Sequence, residues 1–215
     1  METIQQIRCG SVNCFLVKSG SAAILVDTGR EAYREKILRI CTADNEAPVR
    51  LIVLTHGHVD HVQNAAFLAN RLHVPIAMHE EDFPLLADNR NQTLLSSGPL
   101  GKLMLYATNR SFEKDRIPPF LPDFYLKNDD SLSEYGINAK VVTLPGHTRG
   151  SIGFLVGEHS LIVGDAMMNL PFPRPALLFH NQAQLLQSIE KIRIFAPLTV
   201  YFGHGGSAHF KNGMR

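Results

Sequence analysis

Seven side chains of this 215-residue sequence have the types and spacing of a two-metal site. Four of them stand in Thr55-His56-Gly57-His58-Val59-Asp60-His61, directly after the apolar run Leu51-Ile52-Val53-Leu54. The others are His147 in Pro145-Gly146-His147-Thr148, Asp165 in Val163-Gly164-Asp165, and His204 in Phe202-Gly203-His204-Gly205. Imidazole and carboxylate groups hold zinc and related divalent ions in hydrolytic sites. His56 and His58 are one residue apart, so an extended segment projects both to the same side. Asp60 and His61 follow where the chain should turn into a helix, which lets them diverge toward a second ion. Asp165 ends an apolar run with no basic neighbour, and a bridged pair of ions would give its carboxylate a partner. Two ions roughly 3.5–4 Å apart lower the pKa of a shared water toward about 7. The bridging hydroxide formed in this way attacks a carbonyl or phosphoryl centre. Asp60, as ligand and acceptor, can orient it and pass its proton toward the leaving group.

The elements that must position these groups read as short strands and helices. Strands are expected over 3–8, 13–18 and 22–27, with Gly20 at a hairpin turn, and again over 50–55 and 74–78. Helical spacing covers 31–42, 60–72 and 80–87. The second half follows a similar pattern, with strands over 139–144, 152–156, 160–163 and 198–202 and a helix over 182–195. Residues 90–125 break the rhythm with Gly98, Pro99, Gly101, Pro118, Pro119 and Pro122 among scattered apolar residues. That stretch is too apolar for a linker and reads as a surface insertion or a lid over a substrate. Meanders with interleaved helices in two halves predict two sheets face to face with helices outside.

Composition narrows the class. The length suits one substantial domain, expected to span 1–215. A hydrophobic share of 45% and a charged share of 19% are ordinary for a globular protein. A formal charge of +1 gives no electrostatic case for nucleic acid or membrane, which leaves a small molecule as the expected partner. The N-terminus carries no signal-peptide pattern, and no apolar run is long enough to cross a bilayer, so a cytoplasmic location is expected. Cys9, Cys14 and Cys41 have no zinc-ribbon spacing and read as reduced thiols, with Cys14 a buried small hydrophobe.

With these motifs in order along the chain, the sequence resembles the metallo-β-lactamase-fold hydrolases, in motif pattern the glyoxalase II-like branch. The resemblance rests on Val26-Asp27-Thr28-Gly29, His56 through His61, Gly146-His147-Thr148-Arg149-Gly150-Ser151, Gly164-Asp165 and Gly203-His204-Gly205. It implies an α/β fold, a four-layer αββα sandwich, with the site at one edge of the sheets. It also implies that His56, His58 and His147 bind one metal, that Asp60, His61 and His204 bind the other, and that Asp165 bridges them. Asp27 would not be a ligand; its implied role is to hold ligand histidines or loop amides by hydrogen bonds. Where many relatives carry glycines soon after the histidine motif, this chain has Val62-Gln63-Asn64-Ala65.

The expected activity is metal-dependent hydrolysis of a small ester, thioester or lactone, with two divalent ions, zinc first and iron or manganese next. The alternatives are an iron-dependent oxygenase of the persulfide dioxygenase type, a phosphodiesterase, or a non-catalytic metal-binding module. The chain ends soon after His204, which weighs against cleavage of glutathione thioesters by a C-terminal glutathione-binding region. Arg174, in the stretch that trails Asp165, is a candidate contact for an anionic substrate group.

Overall fold

The computed structural model describes residues 2–196 and 198–211. The chain opens as a meander, β1 (Thr3–Cys9), β2 (Val12–Ser19) and β3 (Ala22–Val26), all antiparallel. Helix α1 (Arg34–Cys41) then carries it to β4 (Val49–Val53), parallel to β3. Helices α2 (Val59–Val62) and α3 (Ala65–Leu72) lead to β5 (Ile76–Met78), parallel to β4. After α4 (Phe83–Ala87) the chain leaves this sheet through β6 (Leu95–Ser96) and the 17-residue helix α5 (Gly98–Lys114), then returns as β7 (Phe124–Tyr125) at its edge.

The second sheet begins with β8 (Ala139–Thr143), β9 (Ile152–Val156) and β10 (Ser160–Ile162). A small hairpin follows, β11 (Met167–Asn169) with β12 (Pro173–Pro175), and β13 (Leu178–Phe179) pairs with β6. Helix α6 (Gln182–Ile194) then delivers β14 (Leu198–Tyr201), parallel to β10, and β15 (Ala208–Phe210) closes the edge.

Alternation along the central strands makes the layers. Phe15 and Val17 of β2, with Ile24 and Val26 of β3, face Val141, Ile152, Phe154 and Ile162 of the other sheet. Their neighbours Cys14, Leu16, Ala23 and Leu25 face outward onto Ile37, Leu38, Ala65 and Leu68 of α1 and α3. On the far side, Leu161, Leu198 and Val200 pack on Leu185, Ile189 and Ile192 of α6. The central strands β2 and β3 bury both faces, which is why these runs read as nearly continuous apolar segments rather than polar alternations. The result is the expected four-layer αββα order. The thiols of Cys9, Cys14 and Cys41 are free and buried.

Two of the expected helices have other boundaries. The single helix expected over 60–72 is two, because the His61 carbonyl accepts from the backbone and hydroxyl of Thr28 instead of a helical N–H. Asn64 sits in that break and donates to the carbonyls of Thr28, Gly29 and Arg30. The 80–87 segment starts as a 3-10 turn, Glu80–Asp82, before α4.

Candidate metal centre

The loops that carry the seven predicted ligands all leave the carboxyl ends of strands at one edge of the sandwich. The loop after β4 holds His56, His58, Asp60 and His61; those after β8, β10 and β14 hold His147, Asp165 and His204. Their ligand atoms fall into three overlapping groups, each within 4.8 Å: His56 with His58 and His147, His56 with His61 and Asp165, and Asp60 with His61 and His204. Asp165 reaches both sides. Its Oδ2 lies 3.7 Å from His147 Nε2 and 3.2 Å from His204 Nε2, while Oδ1 lies 3.6 Å from His61 Nε2. His204 Nε2 is also 3.8 Å from Asp60 Oδ2. The structure therefore brings all seven together.

The outer nitrogens of four imidazoles are fixed by the protein. His61 Nδ1 lies 2.8 Å from Asp27 Oδ2, His147 Nδ1 2.8 Å from the Leu178 carbonyl, and His204 Nδ1 2.6 Å from the Ser11 carbonyl. The Thr55 hydroxyl donates to Asp27 Oδ2 at 2.8 Å and so accepts from His56 Nδ1 at 3.0 Å. Each contact makes Nδ1 the donor and aims a lone pair from Nε2 into the cluster, the usual way a protein sets a ligand tautomer. Asp27 touches the histidine loop a third time: its Oδ1 accepts from the Thr55 amide at 2.8 Å, and its backbone has a φ of 59°.

These donors fit divalent ions. His56 Nε2, His61 Nε2 and Asp165 Oδ1 are buried without a hydrogen-bond partner. Leaving such atoms unpaired costs about 1–3 kcal/mol each, and a pair of bound ions would satisfy all three. Charge in the metal-free cluster is divided. Burial, reinforced by the surrounding rings, holds the His56 imidazole well below its ordinary pKa and lowers His58 to about 3. Burial also opposes charge on His61 and His204, but Asp165 outweighs it with help from Asp27 or Asp60, raising them to about 9 and about 10. Asp165 is held well below the carboxylate range, burial notwithstanding, by His204 and His61.

Several supporting residues escape a reading of the sequence. Asp82, fully buried, ties two ligand loops together. Its Oδ2 accepts from the Gly57 amide at 2.9 Å and the Thr148 hydroxyl at 2.6 Å; its Oδ1 accepts from the Gly150 amide at 2.7 Å and Gln92 Nε2 at 3.0 Å. Gly57 separates His56 from His58, and Thr148 follows His147, so one carboxylate sets the spacing of all three rings. Asn89 accepts from the Val59 amide and donates to the Gly57 carbonyl. Phe112 of α5 packs 5.2 Å from the His58 ring. Their signal in the sequence is weak: the last of three consecutive acidic residues, Glu80-Glu81-Asp82, and polar residues in an irregular stretch.

A cavity of about 270 Å³ opens above the cluster. His58, Asp60, His147, Asp165 and His204 form one end. Leu94, Met104 and Ala107 from the 90–125 segment and Met168, Leu170, Ala176 and Leu178 from the 167–180 segment form an apolar wall. Among the described residues Arg30 is the one guanidinium lining it, paired with Asp115 at 2.5 Å and reaching Ser111 at 3.1 Å. Arg174, expected near an anionic substrate group, does not line this cavity. Its guanidinium turns onto the Phe172 ring, 5.9 Å from the centroid, and it borders a separate hollow with Ser97 and Leu186.

Comparison with known proteins agrees with this geometry. The family model of the metallo-beta-lactamase superfamily matches residues 7–204, and the chain belongs to that superfamily. It is 30% identical over 204 residues to the hydroxyacylglutathione hydrolase GloC of Haemophilus influenzae, covering 90% of this chain and 85% of the relative. Among solved structures it is similar to the BLEG-1 B3 metallo-beta-lactamase, with a TM-score of 0.75, 22% identity, and 96% and 94% of the two chains covered. It is also similar to TTHA1623 in a di-iron-bound form, with a TM-score of 0.65, 26% identity and the same coverage. No helix among the described residues is long and apolar enough to cross a membrane.

Two outcomes follow. Asp82→Ala leaves the Gly57 and Gly150 amides without their partner and should cost about 3 kcal/mol in denaturant unfolding of the metal-free protein. It should also weaken metal uptake, read by competition with a chromogenic chelator. Because the neighbouring carboxylates raise the His61 and His204 pKa values and ligands must be neutral, filling the site at pH 7 should release protons. Calorimetry in buffers of different ionisation enthalpy counts them, and apparent affinity should climb as pH rises toward 9.

Proposed function

We propose that the protein is a dinuclear metallohydrolase that cleaves a small thioester or ester with an apolar acyl group. The observation that carries this reading is the position of Asp165 between two complete ligand groups on the floor of a cavity with an apolar far wall. His56, His58 and His147 would hold one ion, Asp60, His61 and His204 the other, and Asp165 both. A thiolate-free set of nitrogen and oxygen donors accepts zinc, iron or manganese. When bound, the ions would supply an acidified water and polarise the acyl oxygen.

The chain's own residues do the rest. The Asp60 carboxylate faces the cavity beside His204 and is held below the usual carboxylate range: burial opposes its charge, and His61 and His204 outweigh burial. It stays ionised near neutrality, so it can take a proton at Oδ2 from the attacking water and return it to the leaving atom. Leu94, Met104 and Met168 take the acyl chain and exclude bulk water from the reacting carbon. A cover role for the 90–125 segment is part of this proposal, supported by the place of α5 in that wall. The relative named a hydroxyacylglutathione hydrolase is 30% identical, with 85% of its length matched, so the short stretch after His204 is no argument against thioesters. The second complete ligand group favours hydrolysis over single-iron oxygenation.

In the metal-loaded protein His58→Ala should lower kcat/KM on simple acyl thioesters by a factor of about a thousand or more and reduce bound metal. The far-ultraviolet circular dichroism should stay unchanged. Full activity in that variant, or oxygen consumption with persulfides in place of thioester cleavage, would remove the reading.

A further inference from the structure

The metal cavity continues past its own rim. Ser11 and Leu170 line both that cavity and a second groove of about 280 Å³, which runs between the β1–β2 turn and the loop after His204. Ser11 is fixed at the junction, because its carbonyl holds His204 Nδ1 at 2.6 Å. The groove floor carries little side-chain bulk. Gly206 is one of its walls, and a Cβ built there meets nothing within 4 Å. Asn13 and Asn169 stiffen that wall: Asn13 donates to the carbonyls of Phe202 and Gly205, and Asn169 to that of Gly206. At the far end stands Arg8, an exposed residue whose guanidinium has no ion pair or hydrogen bond among the described residues. No carboxylate of the described residues lines the groove.

We propose that this groove is the subsite for the leaving-group arm of the substrate, and that the arm is extended and ends in an anion bound by Arg8. The inference rests on the hydrolase reading and deepens it. The apolar wall beside α5 suits the acyl group, so the leaving arm must exit elsewhere. The groove past Ser11 begins beside His204, shares Leu170 with that wall, and takes in none of the α5 residues that line the metal cavity. The open floor at Gly206 admits a backbone-like chain, and an unpaired guanidinium at the end of a groove without acidic residues selects negative charge. Gly206 has no positive φ, so a larger residue can fill the groove without backbone strain.

The test uses the full, metal-loaded protein with S-acetylglutathione as a long anionic probe and the acetyl thioester of N-acetylcysteamine as a short neutral one. Binding of S-methylglutathione, which has no acyl bond to cleave, is measured in parallel by calorimetry. Arg8→Gln should raise KM for S-acetylglutathione and Kd for S-methylglutathione about fivefold, the scale of one exposed ion pair. Its kcat should stay within about twofold, and the neutral probe should be unaffected. Gly206→Val should weaken both glutathione probes by about tenfold while sparing the neutral thioester. Equal effects on both thioesters, or no effect in either variant, would overturn the subsite. Cleavage of the neutral thioester without any binding of S-methylglutathione would overturn the subsite and leave the hydrolase standing. Binding of S-methylglutathione that Arg8→Gln weakens, with neither thioester cleaved, would keep the subsite and remove the hydrolytic reading.

Discussion

Two carboxylates and five imidazoles packed at a sandwich edge cannot all be satisfied by one another. Four rings have one nitrogen fixed from outside by Asp27, Thr55, Leu178 or Ser11, which turns their other nitrogens into the cluster around Asp165. Two of those nitrogens and one Asp165 oxygen remain buried and unpaired. A site of this kind is expensive for the folded chain unless something positive enters it. That cost is the constraint around which the rest of the structure is arranged.

The arrangement is a division of labour between sheets and loops. The strands, buried on both faces, hold the loop ends at fixed spacing but donate none of the seven groups themselves. Precision comes from polar residues that clamp the loops to one another. Asp27 connects the loops after β3 and β4, Asp82 connects the loops after β4 and β8, and Asn13 connects the β1–β2 end to the loop after β14. Each uses a side chain where a backbone ladder is unavailable, so the candidate ligands sit on irregular chain that is nonetheless held by hydrogen bonds. The 90–125 and 167–180 segments then add the apolar wall, giving the reactive end a dry, shaped neighbour.

What is legible in the sequence divides along the same line. Strands such as 22–26 and 152–156 are readable because each is a continuous β-rich run bounded by turns. The seven candidate ligands are readable because their motifs are short, local and placed at strand ends. Asp82 is not, since its partners Thr148 and Gly150 are 66 and 68 residues away and nothing local marks it. The helix break at Asn64 is hidden for the same reason: tertiary hydrogen bonds to the 28–30 backbone override an otherwise helical pattern. Arg174 shows the opposite error. Proximity along the chain to Asp165 suggests a substrate contact, whereas its guanidinium settles on Phe172, and Arg30 lines the cavity instead.

The central claim is that Asp165 stands between two ions. Anomalous diffraction from crystals of the metal-loaded protein, collected on both sides of the absorption edge, tests it directly. The account predicts two peaks flanking the Asp165 carboxylate, roughly 3.5–4 Å apart. A single peak confined to His56, His58 and His147, with Asp60 and His204 turned away from any ion, would contradict it.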